Sequence, residues 1–226
     1  MPPETESSPP ALDRPAFDRE AMRTRIVDAA LPHVPFDGWN AASLAQAARD
    51  IGVDKVMALR VFPGGAIDAI RHWSEVTDRR MVAACEDAGF VQKRTRDKVA
   101  RAVRARLELV GAHREAVRRA LGLLAPPIHA GLSARLVWRT VDAIWYLAGD
   151  SATDFNYYTK RGLLAGVYGA TLLTWLDDRS AGFADTWSFL DRRLDDALRI
   201  PRLMADATRW VTPFMPGFLR PGRPAR

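Results

Sequence analysis

Residues 25–65 read RIVDAALPHVPFDGWNAASLAQAARDIGVDKVMALRVFPGG. Apolar side chains recur here at helical rather than strand intervals: Ile26, Ala29 and Ala30 with Val34 share one face, and Leu44 with Ala47 and Ala48 share another. Asn40 stands before the second run as an N-cap and Gly52 ends it. A short third run is closed by Pro63, Gly64 and Gly65. The spacing predicts helices over 17–33, 41–51 and 54–61, with a turn at Gly52–Val53, which are helix-turn-helix proportions.

The same period continues outward. A long helix is expected over 66–87, with Ile67, Ile70, Val76, Met81 and Ala84 as its apolar positions, and further helices over 95–112, 114–124 and 130–148, broken at His113 and at Pro126–Pro127. Segment 155–177 is the most apolar, and 183–199 places Phe183, Trp187, Leu190, Leu194 and Ala197 on one stripe. The fold class is all-α. The expected organisation is a disordered leader (1–16), a helix-turn-helix region (17–65), a helical body (66–200), an amphipathic helix (201–214) and a basic tail (215–226).

Composition narrows the function. With 226 residues and 48% hydrophobic side chains, the chain can bury a full core. Its one cysteine, Cys85, excludes disulfide frameworks within the chain and multi-cysteine metal sites, and it suits a reducing compartment. The longest uncharged apolar stretch, Gly162–Leu176, is fifteen residues, short of the roughly 20 that span a bilayer as a helix. The acidic, proline-rich start MPPETESSPP reads neither as a secretion signal nor as an arginine-rich transit peptide, and 29 Arg against 4 Lys suggests a GC-rich bacterial genome.

The net charge of +6 is uneven. Residues 91–120 carry +7 and residues 199–226 carry +5, on a mildly acidic remainder. Such zones suit an anionic partner or a solvated helix surface.

Catalytic patterns are missing. No two of His33, His72, His113 and His129 have metal-ligand spacing, and His72 with Glu75 reads as a surface hydrogen bond. GLSAR (131–135) lacks the closing glycine of a nucleophile elbow. Gly162, Gly166 and Gly169 follow no strand, so they read as a surface for close helix approach rather than a nucleotide loop. No catalytic residue, metal site or cofactor is expected.

The opening run resembles the DNA-binding domain of tetracycline-repressor-type regulators, through Ala29–Ala30, Gly38 before an aromatic, Leu44 with Ala47–Ala48, Ile51–Gly52–Val53 and Phe62–Pro63. The resemblance implies a ligand-responsive transcription regulator. Helix 54–61, however, offers only Asp54, Lys55 and Arg60 among apolar residues, and residues 1–90 sum to −4, which repels a phosphate backbone. The helix-turn-helix therefore reads as degenerate, and DNA is not the expected partner.

Two later runs, DAIWYLAGDSATDFNYYTKRGLLAGVYGATLLTWLDD (142–178) and FADTWSFLDRRLDDAL (183–198), resemble the coenzyme Q (ubiquinone) biosynthesis protein nine family. That resemblance implies a tetracycline-repressor-like bundle, a homodimer and a non-enzymatic accessory role. The implied activity is to hold an isoprenoid or ubiquinone-precursor lipid and present it to the demethoxyubiquinone hydroxylase, with Asp154, Tyr157 and Tyr158 as the contact. Tyr157 stands where the family often has tryptophan.

The residues bear on this independently. Adjacent positions on a helix point about 100° apart, so Tyr157 and Tyr158 cannot both face the core. The stripes Val137, Val141, Ile144, Trp145 and Leu163, Leu164, Val167, Thr171, Trp175 either close on a dry core or part around a hydrocarbon tail, and they are the candidate lipid-binding residues. Leu203, Met204, Ala207, Trp210, Val211 and Phe214 recur at helical spacing beside arginines, which suits either a helix lying on an anionic membrane or one packed on the body. The expected location is the bacterial cytoplasm, peripheral to the inner face of the membrane.

Overall fold

The computed structural model describes residues 18–150 and 155–211, and of residues 88, 155, 156 and 198–211 the backbone only. Among these there is no strand. The helices are α1 (Arg19–Ala30), α2 (Val34–Asp37), α3 (Ala41–Asp50), α4 (Lys55–Val61), α5 (Gly65–Cys85), α6 (Ala88–Val91), α7 (Thr95–Leu109), α8 (Arg114–Leu124), α9 (Ala130–Leu147), α10 (Phe155–Asp177) and α11 (Ala184–Val211).

The sequence punctuation sets these limits. Asn40 Oδ1 accepts from the amides of Ala42 and Ser43, and the Ser43 hydroxyl accepts from the Asn40 amide, which closes a capping box on α3. Gly52 ends that helix at φ 73°, a left-handed conformation that favours glycine. The Asp18 and Asp54 carboxylates cap α1 and α4 by accepting from amides of the first turn. The first predicted helix stops earlier than expected, at Ala30, because prolines 32 and 35 interrupt it, and Pro35 sits in the first turn of the separate α2. At the other end the backbone stays helical through Pro201 to Val211, where a break between 199 and 201 was expected.

Helices α1, α3 and α4 form a unit around Ile26, Val27, Ala30, Leu44, Ala47 and Val61, all essentially inaccessible. Trp39 fastens that unit to the body: its ring lies 5.4 Å from Trp73 of α5, and its indole N–H donates to the Ala116 carbonyl of α8 at 3.0 Å. The body packs α5, α7, α8, α9, α10 and α11 together, with Leu107, Val141, Ile144 and Trp175 fully buried.

Two expectations change. His72 is buried rather than a surface partner of Glu75. Thr24 donates its hydroxyl proton to the Glu20 carbonyl, so His72 Nε2 donates to Thr24 Oγ1 at 3.0 Å, and burial pushes the imidazole pKa below its ordinary value. Glu75 instead meets Arg139 at 2.6 Å. The basic zone over 91–120 is in large part engaged internally. Arg96 pairs with Asp191 and Asp195, Arg101 with Asp87, and Arg119 reaches Glu115 and the Pro35 carbonyl.

Candidate functional site

A cavity of about 500 Å³ opens between α5, α7, α8, α9 and α10. Its walls are mainly apolar: Ile70 and Trp73 from α5, Val117, Leu121 and Leu124 from α8, Leu136 and Val137 from α9, and Leu172 from α10. One end lies at the α8–α9 connection, where Ala125 and Ala130 are exposed. The other end is polar, formed by the buried Thr77, Arg106, Thr140 and Tyr168 with the half-buried Ser74.

Arg106 organises that buried end. Its guanidinium donates to Asp78 Oδ1 at 2.7 Å, to the Tyr168 hydroxyl at 2.5 Å and to the Ser74 hydroxyl at 3.1 Å. Thr140 also donates to Asp78 Oδ1, at 3.0 Å. Burial opposes the charge on Arg106, but Tyr168 and Asp78 outweigh it and hold its pKa above the usual arginine value, while burial pushes the Tyr168 hydroxyl up. Asp78 Oδ2 is buried without a hydrogen-bond partner among the described residues.

Of the nine candidate lipid-binding residues, Val137 lies on the cavity wall. Val141, Ile144, Trp145, Leu164, Val167, Thr171 and Trp175 are buried in the surrounding core, and Leu163 is half-buried. Thr171 donates to the Val167 carbonyl of its own helix, which satisfies its hydroxyl without a ligand. Sequence reasoning passed over Arg106, although its position carried a signal: Val99, Ala102, Val103 and Leu107 are the buried stripe of α7, and Arg106 falls on that stripe.

A second cluster sits where α9 meets the start of α10. Tyr158 is 66% exposed, whereas Tyr157 is half-buried, its hydroxyl donating to Asp142 Oδ1 at 3.0 Å. The two rings meet edge to face at 5.1 Å, and Trp138 lies 6.4 and 6.1 Å from them. Arg161 lies buried beneath, 3.4 Å from the Tyr157 ring centre, with its Nε 2.7 Å from Asp142 Oδ1. The hydrogen bond to Asp142 raises the Tyr157 pKa. Lys160 meets Asp150 at 2.7 Å. Trp138, Asp142 and the structural role of Arg161 are additions to the sequence reading; Trp138 and Asp142 lie one helical turn apart, as do Tyr157 and Arg161. Asp154 lies outside the described residues.

Elsewhere, Arg114 donates to the carbonyls of Trp175, Leu176 and Asp178 and Arg118 donates to Leu176, so α8 caps the C-terminal end of α10. Phe214 and the side chains of Leu203, Met204, Ala207, Trp210 and Val211 lie outside what the structure describes. A Cβ placed on Gly162, Gly166 or Gly169 meets nothing within 4 Å, so no helix of this chain closes on that face among the described residues. Helix α4 turns Val56 and Leu59 outward beside Lys55 and Arg60. Among the described residues no group of His, Cys, Asp and Glu has a metal-holding arrangement, and no single helix is long and apolar enough to cross a membrane.

The solved structure of a TetR transcriptional regulator from Nitrosomonas europaea superposes with a TM-score of 0.65 at 23% identity, covering 79% of this chain and 98% of that one. That likeness fixes the fold. The COQ9 family model matches residues 130–201, which include α9, α10 and the aromatic cluster. The mitochondrial ubiquinone biosynthesis protein COQ9 of Rattus norvegicus is 36% identical over 80% of this chain and 60% of its own length. The Drosophila melanogaster protein of the same name is 33% identical over 95% of this chain and 67% of its own length. This chain thus spans about three fifths of the rat protein's length. The relatives are named as mitochondrial proteins, which overturns the expected placement at the inner face of a bacterial membrane. On identity at this level along most of its length, the chain belongs to the COQ9 family.

Proposed function

We propose that this chain serves ubiquinone biosynthesis as a non-enzymatic accessory protein that holds an isoprenoid lipid in the cavity between α5, α7, α8, α9 and α10. The observation that carries this reading is the cavity itself: about 500 Å³ of mostly apolar space between five helices. Each methylene buried there contributes about 0.8 kcal/mol, so a polyprenyl tail binds tightly without any reacting group. Native mass spectrometry of the purified protein is expected to show a co-purified isoprenoid, or uptake of one when supplied. A protein that carries none and takes up none would refute the reading.

In this proposal the Trp138–Tyr157–Tyr158 surface, with Asp154, is where the demethoxyubiquinone hydroxylase docks. Tyr158 is the exposed ring of that cluster, and aromatic side chains anchor interfaces strongly. Tyr158→Ala is expected to weaken hydroxylase binding by about 2 kcal/mol, near 30-fold, with an unchanged melting temperature. Unaltered affinity by surface plasmon resonance would remove Tyr158 from the contact. Tyr157→Ala is the less clean variant, because it also uncovers the buried Arg161.

Residues 201–214 complete the proposal as the segment that seats the protein on an anionic membrane. A chain ending at Ile200 is then expected to stop floating with anionic vesicles, and continued flotation would place the membrane contact elsewhere. The open glycine face of α10 is proposed as a contact between two copies of the chain.

A further inference from the structure

One charged side chain, Arg106, lines the buried end of the cavity, and its partner Asp78 is not part of the lining. Arg106 and Asp78 are nine-tenths or more buried and pair with each other, so the cation that borders the ligand space is already compensated from behind the lining. Hydrogen-bonding capacity nevertheless remains. A guanidinium has five N–H donors, and Arg106 directs single donors to Asp78, Tyr168 and Ser74, which leaves N–H groups on a side chain that lines the cavity. Ser74 accepts from Arg106 and retains its own hydroxyl proton.

We propose that this end is a subsite for the neutral, hydrogen-bonding head of a prenyl lipid, such as an alcohol, phenol or quinone carbonyl, and that it discriminates against a carboxylate head on the same chain. A neutral head takes the free donors and adds no charge. A carboxylate brings a second anion to a cation already paired with Asp78, in a region where an uncompensated charge is strongly disfavoured. The head enters first and the tail fills the apolar length toward the α8–α9 connection. The inference rests on the lipid-cavity reading above and adds the choice of head group to it.

Geranylgeraniol and geranylgeranoic acid share one tail and differ only in the head. Binding of each to the full chain, measured at about pH 8 so that the acid is ionised, is expected to favour the alcohol at least about tenfold. Asp78→Asn leaves Arg106 unpaired and is expected to move the ratio toward the acid by about 30-fold or more. Acid and alcohol binding equally to the wild type, or an unchanged ratio in a folded Asp78→Asn chain, overturns the subsite while leaving the cavity reading in place. If neither ligand binds, the cavity reading falls and the subsite with it. Should Asp78→Asn fail to fold, Ser74→Ala takes its place. It is expected to weaken the alcohol about fivefold and leave the acid unchanged, and an unweakened alcohol counts against the proposal.

Discussion

Replacing Arg106 by methionine is expected to destabilise the protein by about 3–5 kcal/mol, because it leaves the Asp78 carboxylate buried without its cation. Domains of this kind rest on roughly 5–15 kcal/mol in total, so this single change removes a large share. Much of the loss comes from stranding a charge rather than from losing a favourable contact. The double variant Arg106→Met with Asp78→Leu is therefore expected to recover most of it, since an apolar pair of similar volume replaces a buried ion pair at little or no net cost. Urea unfolding of the two single variants and the double variant gives the coupling directly. Equal loss in the single and double variants would mean that Arg106 acts through its bonds to Tyr168 and Ser74 instead.

Introducing tryptophan at Val137 is expected to leave the fold intact and weaken lipid binding strongly. Val137 is half-buried on the cavity wall, so an indole projects into existing space rather than into packed core. If the ring takes the room of three or four methylenes, binding weakens by about 2.5–3 kcal/mol, near 100-fold. Stability should hold or rise slightly, as it does when a void is filled. The paired readout is native mass spectrometry for the lipid and thermal unfolding for the fold. Retained lipid at full occupancy would place the tail elsewhere.

The helices were legible because their ends carry local chemistry. Asn40 and Gly52 on α3, the Pro63–Gly64–Gly65 stop before α5 and the Pro126–Pro127 break before α9 act within a few residues of themselves, so one stretch of chain contains the information. The cavity was not legible in the same way. Val137, Val141 and Ile144 belong to one apolar stripe, yet Val137 faces empty space while the other two are sealed. What separates them is how the neighbouring helices pack over each position, which periodicity does not encode.

Long-range polar partners were hidden for the same reason. His72 finds Thr24, 48 residues away, and Arg106 finds Tyr168, 62 residues away. Arg106 also stood inside a strongly basic run, where an arginine on the apolar stripe of α7 was easily counted as surface charge. At the aromatic cluster the 100° rotation between neighbours requires one tyrosine to turn outward, and Tyr158 is the one that does. The buried Arg161 that supports Tyr157 from below depends on Asp142 of another helix.

Arg114 and Arg118 clamp α8 to the carbonyls that end α10. Because α8 carries Val117, Leu121 and Leu124 on one wall and α10 carries Leu172 on another, that clamp ties two walls of the cavity to each other.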